Sequence, residues 1–333
     1  MTHAVRSLLS VLATMALTNS LSAGDWPMWR HNPARTAVAP DALPEDLHLQ
    51  WTLALPAARP AWPESQPKLR FDASYEPVVA GGRMFVGSTV NDSLTAYDAK
   101  TGRRLWRFYT DGPVRFAPAV ANGRLYAVSD DGHLYCLDAA SGELVWKVNG
   151  GPAEQRILGN DRLISMWPAR GGVVVAEGTA YFTASIWPSM GIFIHAVDAE
   201  SGQILWTNSE TGGQFTVHPH GAPSFGSIVP QGYLAVSGER LFVPGGRSLP
   251  AVFDRQTGDL LHFQFGGKSS GGYAVTVGER FYSVAEEQFR LEDGTKIGSY
   301  AAALVDGATI IEAQRGSGVI EVRRFGEKVT EKK

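Results

Sequence analysis

Residues 74–325 predict an all-β fold, a ring of repeated four-stranded antiparallel blades, and three observations lead there. The first is a recurring element. Asp98-Ala-Lys-Thr-Gly102-Arg-Arg-Leu-Trp106 returns as Asp138-Ala-Ala-Ser-Gly142-Glu-Leu-Val-Trp146 and as Asp198-Ala-Glu-Ser-Gly202-Gln-Ile-Leu-Trp206. A fourth copy runs from Asp254 through Gly258 and carries His262 in place of the tryptophan, and a fifth, Phe289-Arg290-Leu291-Glu292-Asp293-Gly294, is decayed. The second observation is a partner motif upstream of each copy. Apolar residues 78–86, broken by Gly81-Gly82, match residues 119–127, broken by Asn122-Gly123, and the pattern recurs at Gly178, Gly238, Gly278 and Gly307. Thirdly, no long stretch has a helical period.

Short apolar runs interrupted by Gly or Asn-Gly are hairpin signals. The Asp-x-x-Ser/Thr-Gly element supplies a second tight turn, with Asp98, Asp138, Asp198 and Asp254 bonding nearby amides and Gly102, Gly142, Gly202 and Gly258 free to take positive φ. A unit of about 40 residues with four short strands is the mark of a β-propeller blade. One blade cannot bury both faces, so Trp106, Trp146 and Trp206, opening the fourth strands, and Trp51, in a segment that resembles an isolated fourth strand, are expected to pack between neighbouring blades. Six such units fit between Tyr75 and Arg324.

The flanking segments have their own signatures. Residues 1–23 read as a signal peptide, with a weakly basic start at His3 and Arg6, an apolar run from Leu8 to Leu17, and small residues for cleavage near Ala23. About ten apolar residues cannot cross a ~30 Å bilayer core. Residues 24–73, rich in Pro and Trp, read as an irregular wrap, with 49–53 around Trp51 a ring-closing strand. That strand would remove the exposed sheet edges that invite aggregation. Insertions at 149–170 and 207–231 make two connections long, and long loops on a rigid scaffold commonly carry binding. Residues 326–333 read as a disordered tail.

Composition narrows the function classes. The 333 residues are 44% hydrophobic and only 19% charged with formal net charge −3, so no basic face for nucleic acid is expected. A single cysteine, Cys136, excludes an intrachain disulfide, a thiolate zinc cluster and covalent haem attachment.

The repeat resembles the pyrroloquinoline-quinone (PQQ)-like propeller repeat, found in quinoprotein alcohol dehydrogenases and in BamB-type outer-membrane assembly lipoproteins. The opening Gly24-Asp25-Trp26-Pro27-Met28-Trp29-Arg30, the segment at 111–118 and the segment at 191–198 are similar to exported PQQ-like-repeat proteins of Planctomycetes. The dehydrogenase resemblance would imply PQQ beside a vicinal disulfide, a calcium held by Glu and Asn, and an Asp base. One cysteine cannot form that disulfide, and no carboxylate here matches the calcium or base position by motif. BamB-type anchoring would need a lipid-acceptor cysteine, and none follows the apolar run.

Other constellations are weak on spacing. His218-Pro219-His220 could offer two imidazoles to a metal, but no third ligand follows at a suitable distance. Asp130-Asp131-Gly132-His133 reads as a hairpin turn, not a calcium loop. Gly267-Lys268-Ser269 lacks the earlier glycine and following helix of a phosphate loop, and no serine lies in a G-x-S-x-G context.

Residues near the blade ends at one mouth of the ring remain: Glu76, Arg115, Trp167, Arg170, His218, His220 and Arg247. Arg and Trp are enriched in binding hot spots, while the competing reading has Arg115 and Arg170 bonding carbonyls around the channel. The expectation is a non-catalytic, exported propeller, periplasmic or extracellular, with no bound cofactor or metal. It would bind a protein or extracellular ligand through that mouth, without nucleic acid or a membrane span. The alternatives are a PQQ- and calcium-dependent enzyme, or a piece of a longer multidomain propeller protein.

Overall fold

The structure, a computed structural model, describes residues 24–43, 45–159, 161–212, 215–217, 221–225, 228–265, 271–299, 304–313 and 320–324. It is a β-propeller of antiparallel blades. Blade 1 comprises Val78–Ala80, Arg83–Ser88, Ser93–Asp98 and Arg104–Tyr109, and blade 2 Ala119–Ala121, Arg124–Val128, His133–Asp138 and Leu144–Asn149. Blade 3 is Gly171–Ala176, Thr179–Ala184, Phe193–Asp198 and Ile204–Asn208, with the short strand Gly232–Tyr233 added parallel to its first strand as a fifth, and blade 4 Ala235–Ser237, Arg240–Val243, Ala251–Asp254 and Leu260–His262. Blade 5 is Val275–Val277, Phe281–Val284, Glu287–Arg290 and Lys296–Gly298; the last sheet has three strands, Leu304–Asp306, Thr309–Ala313 and Ile320–Arg324. Among the described residues there is no α-helix, only 3-10 turns at Pro67–Leu69 and Pro188–Met190.

The blade chemistry is local. Asp98 Oδ1 accepts from the amides of Lys100 and Thr101 and from the Thr101 hydroxyl, while Gly102 takes φ +69° to turn the chain. Asp138, Asp198 and Asp254 repeat this arrangement, and these bonds hold all four carboxyls below the usual range. Each turn then receives the ring of the preceding blade. The Trp106 indole N–H donates to the Ala139 carbonyl at 3.2 Å, Trp146 to Glu200 at 3.0 Å and Trp206 to Arg255 at 3.0 Å. The rings lie against Gly142, Gly202 and Gly258, where a Cβ would collide with the indole. His262 takes the same seat on Gly294. These four rings are half-buried, in keeping with their place on the outer strands.

Trp51 seats itself on the first blade in the same way, donating to the Ala99 carbonyl at 3.1 Å with its ring on Gly102. Residues 49–53 nevertheless form no strand, and Leu49 is 82% exposed. Ile320 and Val322 of the last sheet are likewise exposed. The insertions form a hairpin at Arg156–Gly159 and Arg162–Ser165 and another at Phe215–Val217 and Pro223–Phe225. Residues 1–23 and 326–333 lie outside the described residues.

The N-terminal segment runs through the channel along the inner strands. Trp26 exchanges main-chain bonds with Val79 of blade 1. The carbonyls of Pro27, Pro33, Ala34 and Thr36 accept from Val120, Val236, Val277 and Val305, in blades 2, 4, 5 and the last sheet. Blade 3 is reached by Arg35, whose guanidinium donates to the carbonyls of Val173, Leu234 and Trp29 at 3.0, 2.8 and 2.9 Å. Inner strands present a free edge toward the axis whose amides need acceptors. A proline-containing segment suits the task, because proline contributes a carbonyl and no N–H of its own. Arg35 is fully buried, and burial pulls its pKa down to about 9.

Candidate functional site

At the end of the channel where the first strands begin, residues 58–72 lie as a strap across the mouth. The Arg59 amide donates to the Thr89 hydroxyl at 2.9 Å, and the Trp62 indole to the Gln231 side chain at 3.2 Å. Leu69 fits against Gly246, whose φ of +63° and missing Cβ make the space. Ala61, Leu69, Phe71 and Asp72 of the strap are buried.

Beneath the strap lies a closed set of charges. Arg115 donates from Nη1 to Asp72 Oδ2 at 2.6 Å and to the Arg59 carbonyl at 3.0 Å, and from Nε to Asp130 Oδ2 at 2.6 Å. Arg170 forks onto the same Asp130, Nε to Oδ1 and Nη2 to Oδ2, both at 3.0 Å. All four side chains are at most 3% exposed. Burial pushes the Asp130 carboxyl up, but Arg115 and Arg170 outweigh it and hold it below the usual range. Asp72 is bonded to one arginine, and there burial prevails over Arg115, the Ala61 amide and the more distant Arg170 and lifts the carboxyl above its usual range. Asp72 Oδ1 is buried without a hydrogen-bond partner.

The sequence-derived candidates divide on inspection. Arg115 and Arg170 come together, joined by Asp130, with their guanidiniums turned inward onto carboxylates rather than toward solvent. Trp167 is buried beside them and donates its indole N–H to the Met190 carbonyl at 2.8 Å. Glu76 stands nearby, half-buried, accepting from Ser74 at 3.0 Å and from Trp29; burial raises its carboxyl. Arg247 is exposed, on the loop whose Gly246 receives Leu69 of the strap. His218 and His220 lie outside the described residues. Sequence reasoning missed Asp72, Asp130 and Arg35. For Asp130 a signal existed: a paired Asp130-Asp131 at a turn where blade 1 has Asn91-Asp92. Its partners, however, lie 15 and 40 residues away. Among the described residues no group of three or more His, Cys, Asp or Glu is placed to hold a metal ion.

Beside the charges, four aromatic rings pack on one another. Trp29 stacks on Tyr233 at 4.0 Å and 8°, Tyr233 meets Phe116 edge-on at 5.0 Å, and Phe116 stacks on Phe71 at 4.5 Å and 11°. A planar, carboxylate-bearing quinone needs an open slot between flat faces, with cations free to meet its acids. Here the ring faces are taken by one another and Arg115 and Arg170 by Asp72 and Asp130, so these residues do not fit PQQ. A small cleft of about 10 Å³, room for about one water molecule, remains at the edge of the strap, lined by Ser74, Tyr75, Glu76, Arg115 and Phe116 among others.

Comparison with known proteins agrees with the fold. Residues 28–185 match the family described as outer membrane protein assembly factor BamB, and this stretch carries the PQQ-like repeat. The dehydrogenase subunit of the quinone alcohol dehydrogenase of Gluconacetobacter polyoxogenes is 34% identical over 146 residues, 39% of this chain and 19% of that protein. The tetrathionate hydrolase of Acidithiobacillus ferrooxidans is 26% identical over 151 residues, 44% of this chain and 29% of that protein. The chain thus spans about a fifth of the first of these relatives and under a third of the second. Among solved structures, a europium-containing methanol dehydrogenase superposes with TM-score 0.56 at 15% identity, over 82% of this chain and 57% of that one. The quinohemoprotein alcohol dehydrogenase of Comamonas testosteroni gives 0.54 at 17% identity, over 89% of this chain and 51% of that one. At such identities the likeness is one of fold.

Proposed function

We propose that this PQQ-like-repeat propeller is an exported, non-catalytic binding module that engages a protein or extracellular ligand at its strapped mouth. The observation carrying the reading is the self-contained set of packed rings and paired charges under the strap. Trp29, Tyr233, Phe116 and Phe71 pack on one another, Arg35 joins the inner strands, and Arg115 and Arg170 are bonded to Asp72 and Asp130, so the flat faces and guanidiniums that a quinone would need are already taken by protein side chains. The rigid ring then presents its connecting loops rather than a reaction centre. Export rests on the signal-like residues 1–23, and no helix among the described residues is long and apolar enough to cross a membrane.

The relatives favour a second reading. Several are named alcohol dehydrogenase (quinone), dehydrogenase subunit, and a catalytic role for this chain would follow theirs. A thermal melt of the full chain separates the two, with PQQ plus calcium, with calcium alone, and without either. The binding-module reading expects the same melting temperature in all three. A rise of several degrees with PQQ that calcium alone does not give would mean that the native state binds the quinone and would overturn it.

A further inference from the structure

We propose that the strapped mouth is an autoinhibited recognition site for a partner segment that carries an aromatic residue followed by an aspartate, with Phe71 and Asp72 of the strap holding the site shut as its internal ligand. The inference rests on the reading of this mouth as a binding end and names what it binds.

The strap behaves as a ligand in its contacts. It joins no sheet, and it holds the mouth through the Phe71 ring, the Asp72 carboxylate, the buried Leu69 against Gly246, the Arg59 carbonyl on Arg115 and two hydrogen bonds at its edge. Phe71 covers the flat face of Phe116 and Asp72 neutralises Arg115. With Asp72 in place, two buried arginines face two buried carboxylates. Without it, Arg115 and Arg170 would share Asp130 alone, leaving one buried positive charge beside an uncovered ring. The chemistry that restores balance is a carboxylate next to an aromatic side chain.

A second, independent observation shows that the internal ligand fits imperfectly. Asp72 Oδ1 is buried with no donor, so only one of its oxygens is used, whereas Asp130 uses both. Buried polar atoms are ordinarily satisfied, and an unused carboxylate oxygen forfeits a charge-assisted bond. An incoming carboxylate that engaged both oxygens would outcompete it. The cleft at the strap edge leads to Arg115 and carries the Tyr75 hydroxyl, itself buried without a partner and able to donate. Glu76 on the same wall disfavours a run of acids, so a single aspartate beside an aromatic residue matches the charge of the wall.

The test uses the full chain and a fluorescein-labelled peptide of sequence Leu-Arg-Phe-Asp-Ala-Ser, the strap's own. Phe71→Ala with Asp72→Ala vacates the site. The vacated chain should bind the peptide at least tenfold more tightly than the unaltered chain in fluorescence anisotropy. It should lose that binding when the peptide's aspartate is alanine, and when Arg115→Gln is added. No binding by a vacated chain that still melts cooperatively overturns the proposal, as does equal binding of both peptides. Should the double variant not fold, hydrogen exchange on the unaltered chain decides. Millimolar peptide should raise deuterium uptake across residues 58–72, and unchanged uptake overturns the idea. Peptide binding needs no native partner, so failure to find one at this mouth would sink the broader function while leaving the autoinhibited site standing.

Discussion

Replacing Asp130 by Asn should be among the most damaging single changes in the molecule. Asp130 accepts from Arg115 at 2.6 Å and twice from Arg170 at 3.0 Å, at a position where all three side chains are at most 3% exposed. The asparagine keeps the shape and removes the charge, so Arg170 loses its carboxylate while Arg115 keeps Asp72. Breaking a buried pair from one side costs about 3–5 kcal/mol, because the remaining charge stays desolvated without compensation. With an unfolding entropy of about 2 cal/mol/K per residue, that is a fall of roughly 5–8 °C in melting temperature for a chain this size. Calorimetry and urea unfolding at pH 7 measure both. The double variant Asp130→Leu, Arg170→Leu removes both charges, and should be less destabilised than Asp130→Asn, since a buried pair replaced by apolar groups is often nearly neutral. An Asp130→Asn chain within about 1 kcal/mol of the parent, or a double variant much worse than the single, would refute the account of this cluster as a mutually dependent set of charges.

Other outcomes follow from neighbouring features. Trp106→Ala removes a half-buried ring and its bond to the Ala139 carbonyl, and should cost about 2–3 kcal/mol, below the ~3–5 expected of a fully buried aromatic; urea midpoints check it. Gly142→Ala should be harmful for two reasons at once, a φ of +76° and the Trp106 ring where the methyl would sit, and differential scanning fluorimetry should show a clear drop. His195 is buried on Phe182, with Nε2 2.9 Å from the Gly150 carbonyl, and burial pulls its pKa down to about 4 from an ordinary 6.5. The neutral ring is the folded form, so its stability is complete above pH 6.5 and is lost as pH falls toward 4, by about 3 kcal/mol. His195→Gln should flatten that part of the stability–pH curve, and an unchanged slope would place the acid sensitivity elsewhere.

The blades were legible because their information is local. Asp98 bonds amides two and three residues ahead, Gly102 turns the chain four residues on, and the signature recurs often enough to fix the unit. Even the long-range step from Trp106 to Gly142 is legible as periodicity, since each ring meets the same turn one repeat later. The channel and the mouth have no such redundancy. Pro27, Pro33, Ala34 and Thr36 find their amides in four different sheets, and nothing near them in the chain announces a partner. Arg115 and Arg170 were visible as candidates by type, yet the sequence pattern could not say which way they point. Solvent-facing arginines would make a binding surface, whereas these two are neutralised from within by a turn residue and by the strap.

That difference shapes how this propeller would bind. An open mouth recognises a partner directly, and affinity rises with each contact made. A mouth held by its own chain binds only to the extent that the incoming segment exceeds the internal one, so apparent affinity is the intrinsic affinity multiplied by the fraction of time the strap is open. Trimming the strap's hold should therefore tighten partner binding, an inversion of the usual effect of deleting a buried contact. Asp72→Asn is the informative change. It keeps the volume, weakens the ion pair to Arg115, and leaves Phe71 on Phe116. If the strap were purely structural, Asp72→Asn would lower stability and leave partner affinity unchanged or weaker; stronger capture at lower stability is the signature of a self-occupied site.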